Sequence, residues 1–145
     1  MSTFADTSAL VKLYADEPGA EQVRALAGLL VAQIARVEVP AALWRKRRVG
    51  ELSRADAALL LRDFESDYFG TLDEPPRFVA VVADSAVLDS AARLCGVHGL
   101  RAYDAVQLAC ALATREADPE CRTFAAFDVQ LCAAAHAEGF DVVGG

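Results

Sequence analysis

The sequence predicts an α/β fold, with three layers in which helices cover both faces of a central, mostly parallel sheet of about five short strands. Three observations point there. Short apolar or β-branched runs recur along the chain and are separated by helix-patterned segments, the alternation expected of strand–helix–strand units whose neighbouring strands are parallel. Hydrophobic residues make up 54% of the chain but aromatic ones only 8%, which suits tightly packed, alanine-rich helices more than a sandwich or barrel. No repeat, low-complexity segment or linker divides the 145 residues, a length at which one domain, residues 1–145, buries a proper core.

The elements follow in order. A short strand at residues 2–5 leads into a helix over 7–16, closed by Pro18-Gly19, and a second helix covers about 20–27. The continuous apolar run Leu29-Leu30-Val31-Ala32 reads as a strand buried on both faces. A long helix then spans about 34–49 and stops at Gly50. Ser53 has the character of an N-cap for the next helix, which ends at Gly70. After a turn at Asp73-Glu74-Pro75-Pro76, the unbroken β-branched run of residues 78–82 is the best strand pattern in the chain. Asp84 caps a helix to about Val97. The segment 102–116 is helical and almost wholly apolar between Ala105 and Ala113, so it should be packed on several sides. A strand at 123–127, a helix at 128–138 ending at Gly139, and a last strand at 140–143 complete the fold.

Charge and composition exclude several classes. No apolar run approaches the roughly 18 residues that span a bilayer, and the N-terminus lacks the features of a signal peptide, so a cytoplasmic protein is expected. The net charge of −7 argues against a polyanionic ligand unless acids gather in one pocket and bases elsewhere. Four cysteines, at 95, 110, 121 and 132, form no C-x-x-C pair, and Cys95 with His98 has no second pair to complete a zinc site. They read as small buried hydrophobes.

The acids carry the chemistry. In such sheets ligands bind outside the carboxyl ends of the strands, and Asp6, Asp84 and Asp128 each end a strand and begin a helix. Each can simply cap that helix. Glu38 stands four residues after Ile34 and four before Ala42, on an apolar stripe with Val37 and Ala41, where a carboxylate needs a partner. Asp104 lies in the first turn of the most apolar helix, beside Tyr103, Ala105, Val106 and Leu108, all expected to be buried. Should Asp6, Glu38, Asp104 and Asp128 converge, their repulsion calls for a cation. An all-oxygen set suits Mg2+ or Mn2+ rather than zinc, and the chemistry that follows is phosphodiester hydrolysis.

In this order and context the segments "ADTSAL", "ARVEVPAAL", "RAYDAVQLACAL" and "FAAFDVQL" resemble the PIN-domain ribonuclease family, in particular the VapC-type toxins of bacterial toxin–antitoxin pairs. The resemblance implies a PIN-like three-layer domain whose catalytic acids are Asp6, Glu38, Asp104 and Asp128, with Asp6, Asp104 and Asp128 holding Mg2+ or Mn2+. It implies that Ser8 supports the first aspartate. It further implies an endoribonuclease acting on structured RNA of the tRNA or rRNA class, a homodimer, and a VapB-type antitoxin whose C-terminal segment lies across the active-site groove. Members often carry Thr or Ser two residues before the fourth acid, where this chain has Ala126; a catalytically degenerate PIN domain serving as a binding module is the alternative.

Arg45, Lys46, Arg47 and Arg48 end the Glu38 helix. They complement a helix C-terminus or steer RNA phosphates. Trp44, Leu60, Leu61, Phe64, Tyr68 and Phe69 read as core, and any part left exposed would be a groove for the antitoxin or a second subunit. A haloacid-dehalogenase-type site would want an acid at position 8, where Ser8 stands. A receiver domain would want a late lysine, and Lys46 is the last.

Overall fold

The computed structural model describes residues 2–145. Five strands, β1 (Thr3–Ala5), β2 (Leu29–Ala32), β3 (Val79–Val81), β4 (Thr123–Ala126) and β5 (Asp141–Gly144), form one sheet in the order β3-β2-β1-β4-β5, every neighbouring pair parallel. Seven helices connect and cover it: α1 (Thr7–Val11), α2 (Ala20–Arg24), α3 (Ala35–Arg48), α4 (Arg54–Phe69), α5 (Ser85–His98), α6 (Ala102–Ala117) and α7 (Val129–Ala137). The predicted three-layer parallel architecture is what forms.

The period-two geometry of a strand sorts its side chains into two cores. Phe4, Leu30, Ala32, Phe124, Ala126 and Val142 point into a core shared with α5, α6 and α7. Their neighbours Ala5, Leu29, Val31, Ala125 and Val143 point into the other, shared with α1, α3 and α4. Apart from Thr3 and Thr123 at their starts, the central strands are therefore apolar, as a sheet covered on both sides requires. Phe4 stacks on Phe124 across β1 and β4 with ring centroids 5.7 Å apart, and both are fully buried. Each such side chain contributes about 1.5–3 kcal/mol of hydrophobic stabilisation. In α6 an unbroken run from Ala105 to Ala111 is buried, because the helix is wedged between the sheet and its neighbours, as its apolar pattern predicted. Cys110, Cys121 and Cys132 are buried free thiols and Cys95 is half-buried and free.

Gly19, which closes the first segment, starts α2 at φ +91°, and a Cβ there would stand 2.5 Å from the Phe127 ring. Only glycine satisfies both the left-handed backbone and the close approach.

The structure corrects four readings. The pattern of residues 78–82 yields only the three-residue β3, and it is an edge strand with Val79 and Val82 exposed; β-propensity reports a residue's fit to a pleat, not its place in the sheet. The first two helices are shorter than predicted. Past Val11 the chain tightens into three-residue turns, with Lys12, Leu13 and Tyr14 donating to Ala9, Leu10 and Val11, and α2 stops at Arg24 so that Gly28 can turn the chain into β2. In α3 the buried row is Ala35, Val39 and Leu43, while Val37 is 71% exposed and Ala41 is also exposed; Glu38 sits half-buried at the border of that row, with Ile34 and Ala42. Tyr103 is exposed, because it faces away from the sheet in the first turn of α6.

Candidate active site

The chain runs from β1 outward to β2 and β3, then returns to place β4 on the other side of β1. The crevice at such a switch point is where α/β sheets bind ligands. Asp6 and Asp128 follow the two strands that meet there, and the Asp6 amide donates to the Ala125 carbonyl at 3.0 Å, continuing the β1–β4 pairing to the carboxyl edge. Asp6 caps α1 by accepting from the Ala9 amide at 3.0 Å, and Asp128 caps α7 by accepting from the Leu131 amide at 2.9 Å. Asp84 likewise caps α5, accepting from the Val87 amide. It lies away from the crevice, where β3 ends.

Ser8 joins the two strand ends. Its hydroxyl donates to Asp6 Oδ1 at 2.7 Å and accepts from the Phe127 amide at 2.9 Å. Ala126 is fully buried among the side chains facing α5, α6 and α7, and the Phe127 amide just before Asp128 is bonded by Ser8. Ser8→Ala would leave a partly buried amide and the Asp6 carboxylate without this partner, an expected loss of about 1–3 kcal/mol. Urea unfolding at neutral pH checks it, with an unchanged midpoint as the contrary result.

Glu38 reaches the same crevice from α3. Its Oε1 accepts from Thr7 Oγ1 and from Gln107 Nε2, both at 2.9 Å, and Gln107 Nε2 also approaches Thr7 Oγ1 at 3.2 Å. Gln107 is 2% exposed, and its Oε1 is the one buried side-chain oxygen or nitrogen without a partner among the described residues. Asp104 lies one turn before Gln107 on α6. Arg101 places its Nε 3.5 Å from Asp104 Oδ2 and its Nη2 3.6 Å from Asp128 Oδ2. That side chain is largely exposed, so the pairs stabilise little, but they show that the two carboxylates face a common point.

All four predicted acids thus line one crevice of about 310 Å³, together with Thr7, Ser8, Lys12, Glu17, Arg45, Arg101 and Gln107. Burial pushes the Asp6 carboxyl up to about 7, opposed by its bonds from Ser8 and Ala9 and reinforced by the charges of Asp104 and Glu38. The Asp104 carboxyl is raised by burial and then by Asp128, with Arg101 pulling it down. These are the signs of crowded carboxylates short of positive charge.

Among the described residues no three His, Cys, Asp or Glu side chains are gathered tightly enough to enclose a metal ion as they stand. The donor set is nevertheless all oxygen, and a cation would offset both the burial and the neighbouring carboxylate charges that raise Asp6 and Asp104. Mg2+ typically takes only one or two carboxylates and keeps part of its water shell, so the residues present fit a hard divalent ion.

The basic run does not form one patch. Arg45 lines the crevice, whereas Lys46 is committed to Glu17 at 2.6 Å and Glu51 at 3.1 Å, and Arg47 and Arg48 are exposed. Of the apolar set on α3 and α4, Phe64 is fully buried, Phe69 is 57% exposed, and Trp44, Leu61 and Phe69 line a groove of about 360 Å³.

Sequence reasoning missed Thr7, Lys12, Glu17, Arg101 and Gln107. Lys12 is 8% exposed, pairs with Glu17 at 2.9 Å and lies 4.4 Å from the Phe127 ring centroid. The available signals were that Lys12 is one of only two lysines, and that Gln107 is the one amide in an otherwise apolar stretch from Ala105 to Ala113.

A family model for the PIN domain matches residues 3–137. The chain is 36% identical over 138 residues to "Ribonuclease VapC45" of Mycobacterium tuberculosis, covering 92% of this chain and 89% of that protein. Among solved structures it resembles PAE2754 from Pyrobaculum aerophilum, with TM-score 0.63, 23% identity, and coverage of 99% of this chain and 84% of that one. It also resembles a chain of a toxin–antitoxin complex from Klebsiella pneumoniae, with TM-score 0.56, 15% identity, and coverage of 87% and 86%.

Proposed function

The chain belongs to the PIN domain family, and from that premise we propose that it is a Mg2+- or Mn2+-dependent endoribonuclease acting as the toxin of a VapBC-type pair. The observation that carries this reading is the division of labour within each acid. Asp6 and Asp128 use Oδ1 to cap a helix, and Glu38 uses Oε1 to accept from Thr7 and Gln107. Each is held rigidly through one oxygen while the other is not used by these bonds, which is the preorganisation a catalytic carboxylate needs.

Asp6, Asp104 and Asp128 would hold the ion, which supplies Lewis acidity toward the phosphodiester and its attacking water. Glu38, anchored through Oε1, is placed to orient that water and accept its proton. Arg45 and Arg101, the exposed cations lining the crevice, would meet phosphate oxygens, which reconciles an acidic chain with an RNA substrate. Arg47 and Arg48 can add longer-range steering; Lys46 is paired with Glu17 and Glu51.

The ribonuclease names of the relatives support an RNA substrate; that this RNA is of the tRNA or rRNA class, and that it is met in the cytoplasm, are parts of the proposal. Among the described residues, no helix is long and apolar enough to cross a membrane. A VapB-type antitoxin and a homodimer complete the proposal, with the groove beside Trp44 and Phe69 as the surface for one of them.

Purified protein incubated with structured RNA is expected to cut it in Mg2+ or Mn2+, to stop with EDTA, and to resume when metal is restored in excess. The same cutting with EDTA present, or none under any condition, would sink the proposal.

A further inference from the structure

We infer that Gln107 is a positioning residue for the reaction, retained to hold Glu38 at the expense of leaving its own carbonyl without a partner. This rests on the nuclease reading and extends it to a residue that sits among core side chains.

The geometry admits one orientation of the amide. Glu38 Oε1 accepts, so the group facing it must be the Gln107 NH2, and the 2.9 Å distance is that of a charge-assisted bond. Turning the amide over would set its carbonyl against the carboxylate. With the NH2 thus engaged by Glu38 and Thr7, the Gln107 carbonyl lies buried with nothing to accept from. A buried carbonyl without a donor is destabilising, and an apolar side chain of the same size would remove that penalty while still filling the space. The helix around it takes apolar residues at every neighbouring position from Ala105 to Ala111. Packing alone therefore does not call for an amide here.

The bond explains it. Thr7 and Gln107 bind the same oxygen of Glu38 from two different elements, α1 and α6, while Glu38 itself comes from α3. Three helices are thereby referenced to one carboxylate oxygen. The rotamer of Glu38 is fixed relative to Asp6, which precedes Thr7, and to Asp104, one turn before Gln107. Without this clamp a half-buried glutamate on α3 would sample several rotamers.

Gln107→Met is the discriminating substitution, with Thr7→Val as the second. Single-turnover RNA cleavage is expected to fall roughly tenfold or more in each, with KM within about twofold, and the double variant should be little worse than either single one, because both act through Glu38. Mn2+ binding, titrated calorimetrically and independent of cleavage, should weaken severalfold in Gln107→Met, because the Glu38 charge that bears on Asp6 is no longer held beside it. Its metal-free Tm should equal or exceed the wild-type value, by roughly 2–4 °C if loss of the unpartnered carbonyl dominates. A clear fall in Tm would make Gln107 a structural residue and overturn the inference. So would unchanged cleavage together with unchanged Mn2+ binding. Wild-type protein that neither binds Mn2+ nor cuts RNA would remove the nuclease reading and this inference with it, and Asp104→Asn run alongside distinguishes that case from a failure of the Gln107 argument alone.

Discussion

Asp104→Asn is expected to give a folded protein that cuts RNA roughly 10²–10³-fold more slowly than wild type, the range seen when one preorganised charge-stabilising group is removed from a site. The fold should not suffer. Asp104 is the one aspartate of the site that caps nothing: α6 begins at Ala102 after Arg101, which makes no side-chain cap bond, and the Asp104 partner is the largely exposed Arg101. Its carboxyl is already raised by burial and by the charge of Asp128, so neutralising it relieves repulsion. Single-turnover cleavage and thermal unfolding, measured on one preparation, test both halves. A wild-type rate would take Asp104 out of the site.

The second large effect is the pH dependence of the metal-free protein, and Asp6 sets its sign. Burial lifts the Asp6 carboxyl from 3.8 to about 7, so between those values the folded chain holds a proton that the unfolded chain has released. The contribution of this group to stability is therefore full below about pH 4, declines as pH rises, and is lost above 7. The difference between the two values sets an upper bound of about 4 kcal/mol. Asp6→Asn removes the dependence and keeps a good N-cap residue. Urea unfolding should thus show the Asp6→Asn variant increasingly more stable than wild type from pH 5 to pH 8. Millimolar Mg2+ should stabilise wild type at pH 8 and have far less effect on the variant. A difference that does not change with pH would show that Asp6 is not held as a buried carboxyl.

What the sequence disclosed follows from how strongly each feature is encoded locally. Two-sided burial writes itself into β2, and into β4 after Thr123, as apolar runs, and the aspartates after β1 and β4 mark strand end and helix start together. The four acids could be picked out because each breaks an apolar context. The exposure of β3 could not, since edge position depends on strand order and not on the five residues themselves. The buried face of α3 was misread because alanine is common on both sides of that helix, so the contrast between Ala35 and Ala41 is nearly nil; Val37 points to solvent while the identical Val39, two residues on, is fully buried. Gln107 went unnoticed for another reason. A lone amide in a core helix is usually a satisfied one, and only the positions of Thr7 and Glu38, remote in sequence, show what it holds. Ser8 shows the converse case. The alanine at 126 removes a hydroxyl near the fourth acid, and only the structure shows that Ser8, more than a hundred residues earlier in the chain, bonds the Phe127 amide just before Asp128.

The unequal duties of the four acids bear on how such a chain would decay. Asp6 and Asp128 each begin a helix, so replacing either with a residue that cannot cap costs about 1 kcal/mol of fold as well as activity. Glu38 and Asp104 hold no helix end. In a lineage released from selection for cleavage, purifying pressure on folding would preserve the first pair while Glu38 and Asp104 drifted. Silent descendants should therefore be recognisable by intact aspartates after β1 and β4 beside vacant positions on α3 and α6.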